Sequence, residues 1–187
     1  MALTTLDPKT ALIVVDLQEA LRAYPTMVPI DGIFAKAGEL AKAFRAHGLP
    51  VILVTVAGGA PGRTERPRPA SGERPANAMD VVADLDQQPS DHLVVKSTWG
   101  AFMNTKLDEG LKHDGVTQVV IAGVATSAGV ESTARQAHEH GYNVTLAVDA
   151  MADGSQEVHD HSVNVIFPRI GETGTTAEII ALLDATR

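Results

Sequence analysis

The sequence contains no cysteine. This excludes a disulfide framework, thiolate-bound zinc or iron–sulfur centres, and any cysteine nucleophile. It also lacks an excess of positive charge: 15 Lys and Arg stand against 23 Asp and Glu, for a formal charge of −8. Contact with nucleic acid needs a concentrated basic face, so a small molecule is the expected partner and nucleic acid is not. No stretch approaches the ~20 uninterrupted apolar residues of a membrane span, and residues 1–9 show no basic segment followed by an apolar run. No membrane association is expected, and the cytoplasm is the expected location. Neither an internal repeat nor a low-complexity tract is present.

What is present is the composition of a globular chain, with 44% hydrophobic and 20% charged residues over 187 positions. That length favours one domain, residues 1–187, burying ~70% of its unfolded surface. Residues 11–15 (Ala-Leu-Ile-Val-Val) form a continuous, largely β-branched run ended by Asp16, the mark of a strand covered on both faces. The pattern returns at 51–56, 119–122 and 144–148, and more weakly at 92–95. Helical patterns lie between. Ile33, Ala37, Leu40, Ala41 and Phe44 recur at helical spacing before a stop at Gly48 and Pro50. Leu107 and Leu111 mark a short helix, 130–140 a longer one closed by Gly141, and 177–183 a last one begun by Thr175 or Thr176. Strands alternating with helices indicate a parallel sheet with right-handed crossovers, hence a three-layer α/β/α domain.

Residues 57–79 break this rhythm, with four Gly, four Pro and four Arg (Arg63, Arg66, Arg68, Arg74) against two Glu. So long a loop reads either as a flexible surface insertion or as a lid that meets an anion.

In open parallel sheets ligands bind beyond the carboxyl ends of the strands. The strand ending at Val15 delivers Asp16, with Gln18 two residues on; that ending at Val95 delivers Lys96; and that at 119–122 opens into a small-residue turn, 123–129, that begins a helix. An acid and an amine at two strand mouths form either a plain ion pair or a pair whose carboxyl acts as general acid or base. The turn is either a tight connection or a helix start whose N–H groups receive an anion or oxyanion. Glu131 and Arg135, at i and i+4, read as a helix ion pair. His138, His140, His159 and His161 read as surface or capping residues, because each pair is two apart and cannot share one face. Asp149 reads as a cap or as a residue that orders the site.

Three blocks, Val-Val-Asp-Leu-Gln (14–18), Val-Lys-Ser-Thr-Trp-Gly-Ala-Phe (95–102) and Gly-Val-Ala-Thr-Ser-Ala-Gly-Val-Glu-Ser-Thr-Ala-Arg-Gln-Ala (123–137), resemble the isochorismatase-like hydrolase superfamily. The resemblance implies a Rossmann-like α/β/α sandwich with a six-stranded, mostly parallel sheet. Many members use an Asp-Lys-Cys triad. Asp16 matches the aspartate and Lys96 the lysine, whereas the cysteine position is Gly129. Glycine has no side-chain atom that forms a thioester, so amide hydrolysis by that route is excluded. Isochorismatases within the superfamily commonly carry glycine there, and vinyl ether hydrolysis needs no covalent enzyme intermediate.

The expectation is therefore acid-assisted, non-covalent hydrolysis of a small anionic substrate such as an enolpyruvyl ether. Asp16 is the expected acid, Lys96 either positions it or contacts the substrate's anionic groups, and the N–H groups near Ser127 to Val130 are the expected receptor for the substrate carboxylate. Gln18, Trp99, Phe102, Val124, Ala125, Thr126, Ser127 and Ala128 are the expected substrate-binding residues. The alternatives are a hydrolase using a hydroxyl (Thr126, Ser127 or Ser132) or a water nucleophile on another small molecule, and a non-catalytic ligand-binding protein that kept the fold. The segment after the second strand, Val56-Ala57-Gly58-Gly59, lacks the Asp and His with which nicotinamidase relatives hold zinc, so no metal and no cofactor are expected. The resemblance further implies a homo-oligomer and a cis peptide between Val124 and Ala125; Ile166-Phe167-Pro168 packs either between subunits or inside one.

Overall fold

The computed structural model describes residues 3–65 and 75–186. Six strands, β1 (Thr10–Val15), β2 (Val51–Val56), β3 (His92–Lys96), β4 (Gln118–Val124), β5 (Asn143–Ala152) and β6 (Glu172–Gly174), form one sheet in the order β3-β2-β1-β4-β5-β6. Every neighbouring pair is parallel. β1 is central and all six of its residues are buried, which is why its sequence is continuously apolar rather than alternating. Leu12 and Val14 point to one side, and Ala11, Ile13 and Val15 to the other.

Helices α1 (Ile30–Ala46) and α5 (Thr176–Thr186) cover the first side. Phe34, Leu40 and Phe44 of α1 and Ile179 and Leu183 of α5 pack there. Helices α2 (Leu107–His113) and α3 (Glu131–Glu139) cover the second, through Leu107, Leu111, Ala134 and Ala137. The result is the α/β/α sandwich. α1 stops where Gly48 enters the left-handed region (φ 66°): Gly48 N–H bonds back to Arg45 O at 3.0 Å, and Leu49 N–H to Phe44 O at 2.9 Å. These paired bonds satisfy the last carbonyls of the helix, and only glycine enters that conformation at no steric cost.

Several boundaries differ from those read in the sequence. β4 continues to Val124 and leads through a cis Val124–Ala125 peptide into a π-helical turn, Thr126–Val130, which runs straight into α3. β5 does not end at Val148 but continues to Ala152, past a register shift that pairs Ile121 with Leu146 and then Gly123 with Met151. Asp149 thus lies within β5. Its carboxylate accepts the Thr176 N–H at 2.7 Å and Thr176 Oγ1–H at 2.9 Å, and pairs with Lys36 at 2.6 Å. It caps α5 from a distance, which decides between the two expected roles. Phe167 is fully buried in the core and Ile166 packs half-buried against it, while Pro168 is exposed. Helix α4 (Gln156–His161) follows β5.

Of the 57–79 loop, Arg66, Arg68 and Arg74 lie outside the described residues, and Arg63 is exposed. Among the described residues no helix is long and apolar enough to cross a membrane.

Candidate active site

Asp16 stands at the carboxyl end of the central strand with a left-handed backbone (φ 59°), its N–H anchored on Val54 O at 2.8 Å. A non-glycine residue there is strained, by roughly 1 kcal/mol, and such strain persists where the surroundings fix it. Lys96 ends β3, two strands away. Its side chain crosses the end of β2 to reach Asp16 Oδ2 at 2.9 Å, and its Nζ also donates to the carbonyl of Trp99. The two side chains are 1% (Lys96) and 9% (Asp16) exposed, so this is a buried pair.

The pair is unevenly satisfied. Asp16 Oδ1 is buried without a hydrogen-bond partner among the described residues. Burial pushes the Asp16 carboxyl up to about 6, against the opposing pull of the Lys96 charge and hydrogen bond. An acid held near neutrality with one free oxygen is suited to proton transfer.

A cavity of about 230 Å3 opens onto Asp16, lined by Leu21, Tyr24, Val56, Gly58, Trp99, Val124, Ala125, Ala128 and Gly129. Larger depressions exist, one of about 290 Å3 between β3 and α2, but their linings contain no buried, unpartnered carboxylate. Chemistry rather than size selects the site. Gly129 faces Asp16 directly: a Cβ built on it would lie 3.1 Å from Asp16 Oδ2, 3.0 Å from Val15 Cγ1 and 3.0 Å from the Val124 carbonyl. A side chain at 129 would press on the carboxylate, which would have to give by a few tenths of an ångström.

The structure gathers Asp16, Trp99, Val124, Ala125, Ala128 and Gly129 at this cavity, joins Lys96 to it through Asp16, and places four of the named residues elsewhere. Gln18 is buried, its amide bridging Val56 N–H and O and Ala78 O, so it ties β2 to the following loop; it caps no helix with its side chain. Phe102 turns into the layer beneath α3, stacked on His140 at 5.1 Å between ring centroids. Thr126 is fully buried with its Oγ1 2.9 Å from His159 Nδ1. Ser127 presents both N–H and Oγ–H to Asp153 Oδ2 at 2.8 Å each.

That last contact narrows the expected carboxylate receptor, Ser127 to Val130, of which three N–H groups are engaged within the protein. The N–H groups of Ala128 and Val130 bond to Ala125 O, and that of Ser127 is taken by the protein's own Asp153. His159 is corrected: it is buried against Thr126, not at the surface, and burial lowers its tendency to protonate. Glu131 and Arg135 form the expected pair at 2.9 Å, and Glu131 also accepts Ser162 Oγ–H at 2.7 Å. Leu21, Tyr24, Val56, Gly58 and Asp153 had no signal in the sequence beyond position after a strand end. Among the described residues no three His, Asp or Glu side chains converge as a metal-binding group.

Residues 10–178 match the family model of the isochorismatase domain. The chain is 39% identical over 181 residues to the uncharacterized isochorismatase family protein YwoC of Bacillus subtilis, covering 92% of this chain and 93% of that one. It is 31% identical over 178 residues to the ureidoacrylate amidohydrolase RutB of Stutzerimonas stutzeri, covering 80% and 72%. A solved isochorismatase family protein from Burkholderia thailandensis superposes with a TM-score of 0.90 at 37% identity, over 96% of this chain and 98% of that one. The chain belongs to the isochorismatase family, and it is a hydrolase.

Proposed function

We propose that this hydrolase cleaves a small anionic substrate of the enolpyruvyl (vinyl) ether type by acid catalysis, with no covalent enzyme intermediate. The observation that carries the reading is the Asp16 carboxyl: buried, raised to about 6, and with Oδ1 unpartnered at the cavity. Gly129 supports it, since the position opposite the acid offers no nucleophile. The hydroxyls of Thr126 and Ser127 are engaged by His159 and Asp153 and do not line the cavity.

Protonated Asp16 delivers its proton to the terminal methylene carbon of the enol ether, forming a C–H bond and an oxocarbenium ion. The carboxylate left behind, held by Lys96, faces that cation and stabilises it. Water adds to the cationic carbon and returns a proton to Asp16; the resulting hemiketal loses the alcohol, giving pyruvate. Lys96 keeps the acid in place and restores its charge partner at each cycle.

The test is release of pyruvate from isochorismate by purified protein, compared with Asp16→Asn. No release by wild type, or equal release by the variant, overturns the assignment. The same reading takes residues 1–187 as one catalytic domain working in the cytoplasm as a homo-oligomer. Exposed Leu93, Val95, Trp99 and Met103 around β3 support assembly, which light scattering measures.

A further inference from the structure

The segment between β1 and α1 carries a polar group that the acid chemistry leaves unused. Tyr24 lines the Asp16 cavity, and these two residues are the ionisable side chains among its described lining; of the rest of that lining, Trp99 alone has a polar side-chain group, its indole N–H. The Tyr24 hydroxyl, like Asp16 Oδ1, has no hydrogen-bond partner among the described residues, whereas neighbouring donors are engaged. Ser127 and Gly154 give their N–H groups to Asp153, and Lys96 is spent on Asp16 and the Trp99 carbonyl. A half-buried phenol without a partner at a cavity wall is a donor awaiting an acceptor.

Its position is fixed rather than adventitious. Tyr24 N–H bonds to Leu21 O at 2.9 Å, and Met27 N–H to Asp153 O at 2.8 Å, so the segment is stapled on both sides of the ring. The hydroxyl reaches over Gly154, where a Cβ would come within 3.6 Å of it. Asp153 therefore holds two walls of the cavity: the Tyr24 segment through its backbone carbonyl and the Ser127 turn through its carboxylate. Burial and the negative charge of Asp153 both push the Tyr24 phenol up, so the oxygen keeps its proton.

We infer that Tyr24 contacts substrate, donating its phenolic hydrogen to a carboxylate or carbonyl oxygen of the molecule that Asp16 protonates. The inference rests on the acid-catalysis reading and adds to it the receptor that the engaged Ser127 N–H does not provide. In an enolpyruvyl ether that oxygen belongs to the carboxylate beside the reacting carbon, and it persists in the pyruvate product. Pyruvate is thus a probe that needs no turnover.

The chain has two tyrosines, and the second, Tyr142, donates to Asp108 Oδ1 at 2.9 Å on the far side of the α3 layer. Protein labelled with carbon-13 at the tyrosine ζ carbon gives two signals, assigned with Tyr24→Phe. Pyruvate added at pH 5.5 is expected to move the Tyr24 signal and leave that of Tyr142 in place. Tyr24→Phe is expected to weaken pyruvate roughly tenfold, the loss of one hydrogen bond to a charged acceptor, with thermal stability unchanged. An unmoved Tyr24 signal, no pyruvate binding, or an affinity in Tyr24→Phe within twofold of wild type overturns the inference. The two readings fail separately. Pyruvate bound through Tyr24 without pyruvate release from isochorismate sinks the acid mechanism, and release with an unmoved Tyr24 sinks the role of Tyr24.

Discussion

If Asp16 is the acid, the pH dependence of turnover must follow its protonation, and Lys96 must set where that dependence falls. With the carboxyl at about 6, roughly half of the free enzyme carries the catalytic proton at pH 6, about a tenth at pH 7 and about a hundredth at pH 8. kcat/KM is therefore flat on the acid side and falls about tenfold per pH unit above 6. Lys96→Met removes the cation 2.9 Å from Oδ2, which opposes the effect of burial. Loss of a partner at that range moves a carboxyl upward by roughly 1–3 pH units, or about 1.4–4 kcal/mol. The descending limb of the variant should shift upward by the same interval, while its plateau drops because the acid loses its anchor. The assay is a buffered series from pH 4.5 to 9 monitoring pyruvate, with stability followed in parallel to exclude unfolding. A rising limb in this range, or a limb that stays in place without Lys96, refutes the reasoning.

The neighbouring positions give further expectations. Gly129→Ala puts a Cβ 3.1 Å from Asp16 Oδ2 and should cost about 1–3 kcal/mol by overpacking, with kcat/KM at least tenfold lower; denaturant titration and kinetics measure the two. Trp99, 68% exposed, should be replaceable by Ala within about 0.5 kcal/mol of stability while KM rises, since its ring contributes to the cavity and not to the core. Asp149→Ala removes the cap of α5 and should cost about 1–2 kcal/mol at neutral pH. Burial alone raises that carboxyl, but the bonds from Lys36 and Thr176 prevail and hold it below the usual 3.8. Its contribution is thus present above pH 4 and lost as pH falls further, so wild type and variant should converge in acid denaturation.

The parts of this molecule legible in its sequence are those with a local cause. β1 is readable because both faces are covered, and Asp16 because a charged residue ends an apolar strand where ligands bind. The end of β5 was not readable: Asp149 looks like a strand terminus, but its side chain is directed to α5 and Lys36, and the strand resumes beyond the register shift. Ser127 resembles a free helix start until Asp153, 26 residues on, is folded against it. His159 fails for the same reason, since its partner Thr126 is 33 residues away. Trp99 and Phe102 lie three residues apart in one block, yet one is exposed at the cavity and the other is 7% exposed in the core. Irregular backbone after β3 decides their fates, and it leaves no periodicity to read.

Two glycines six residues apart show how differently the scaffold tolerates change. At Gly129 an added carbon meets a methyl group, a carbonyl and a carboxylate at 3.0–3.1 Å, contacts that small adjustments relieve. At Gly123, with φ 123°, the same carbon would lie 2.0 Å from the Val15 carbonyl oxygen, inside the backbone of the central strand, where nothing can yield without separating β1 from β4. A side chain at residue 129 therefore asks for small local shifts, whereas at residue 123 the pairing of β1 with β4 forbids one. The junction at residue 123, where β4 meets the strand end that carries Asp16, is thus the less replaceable of the two.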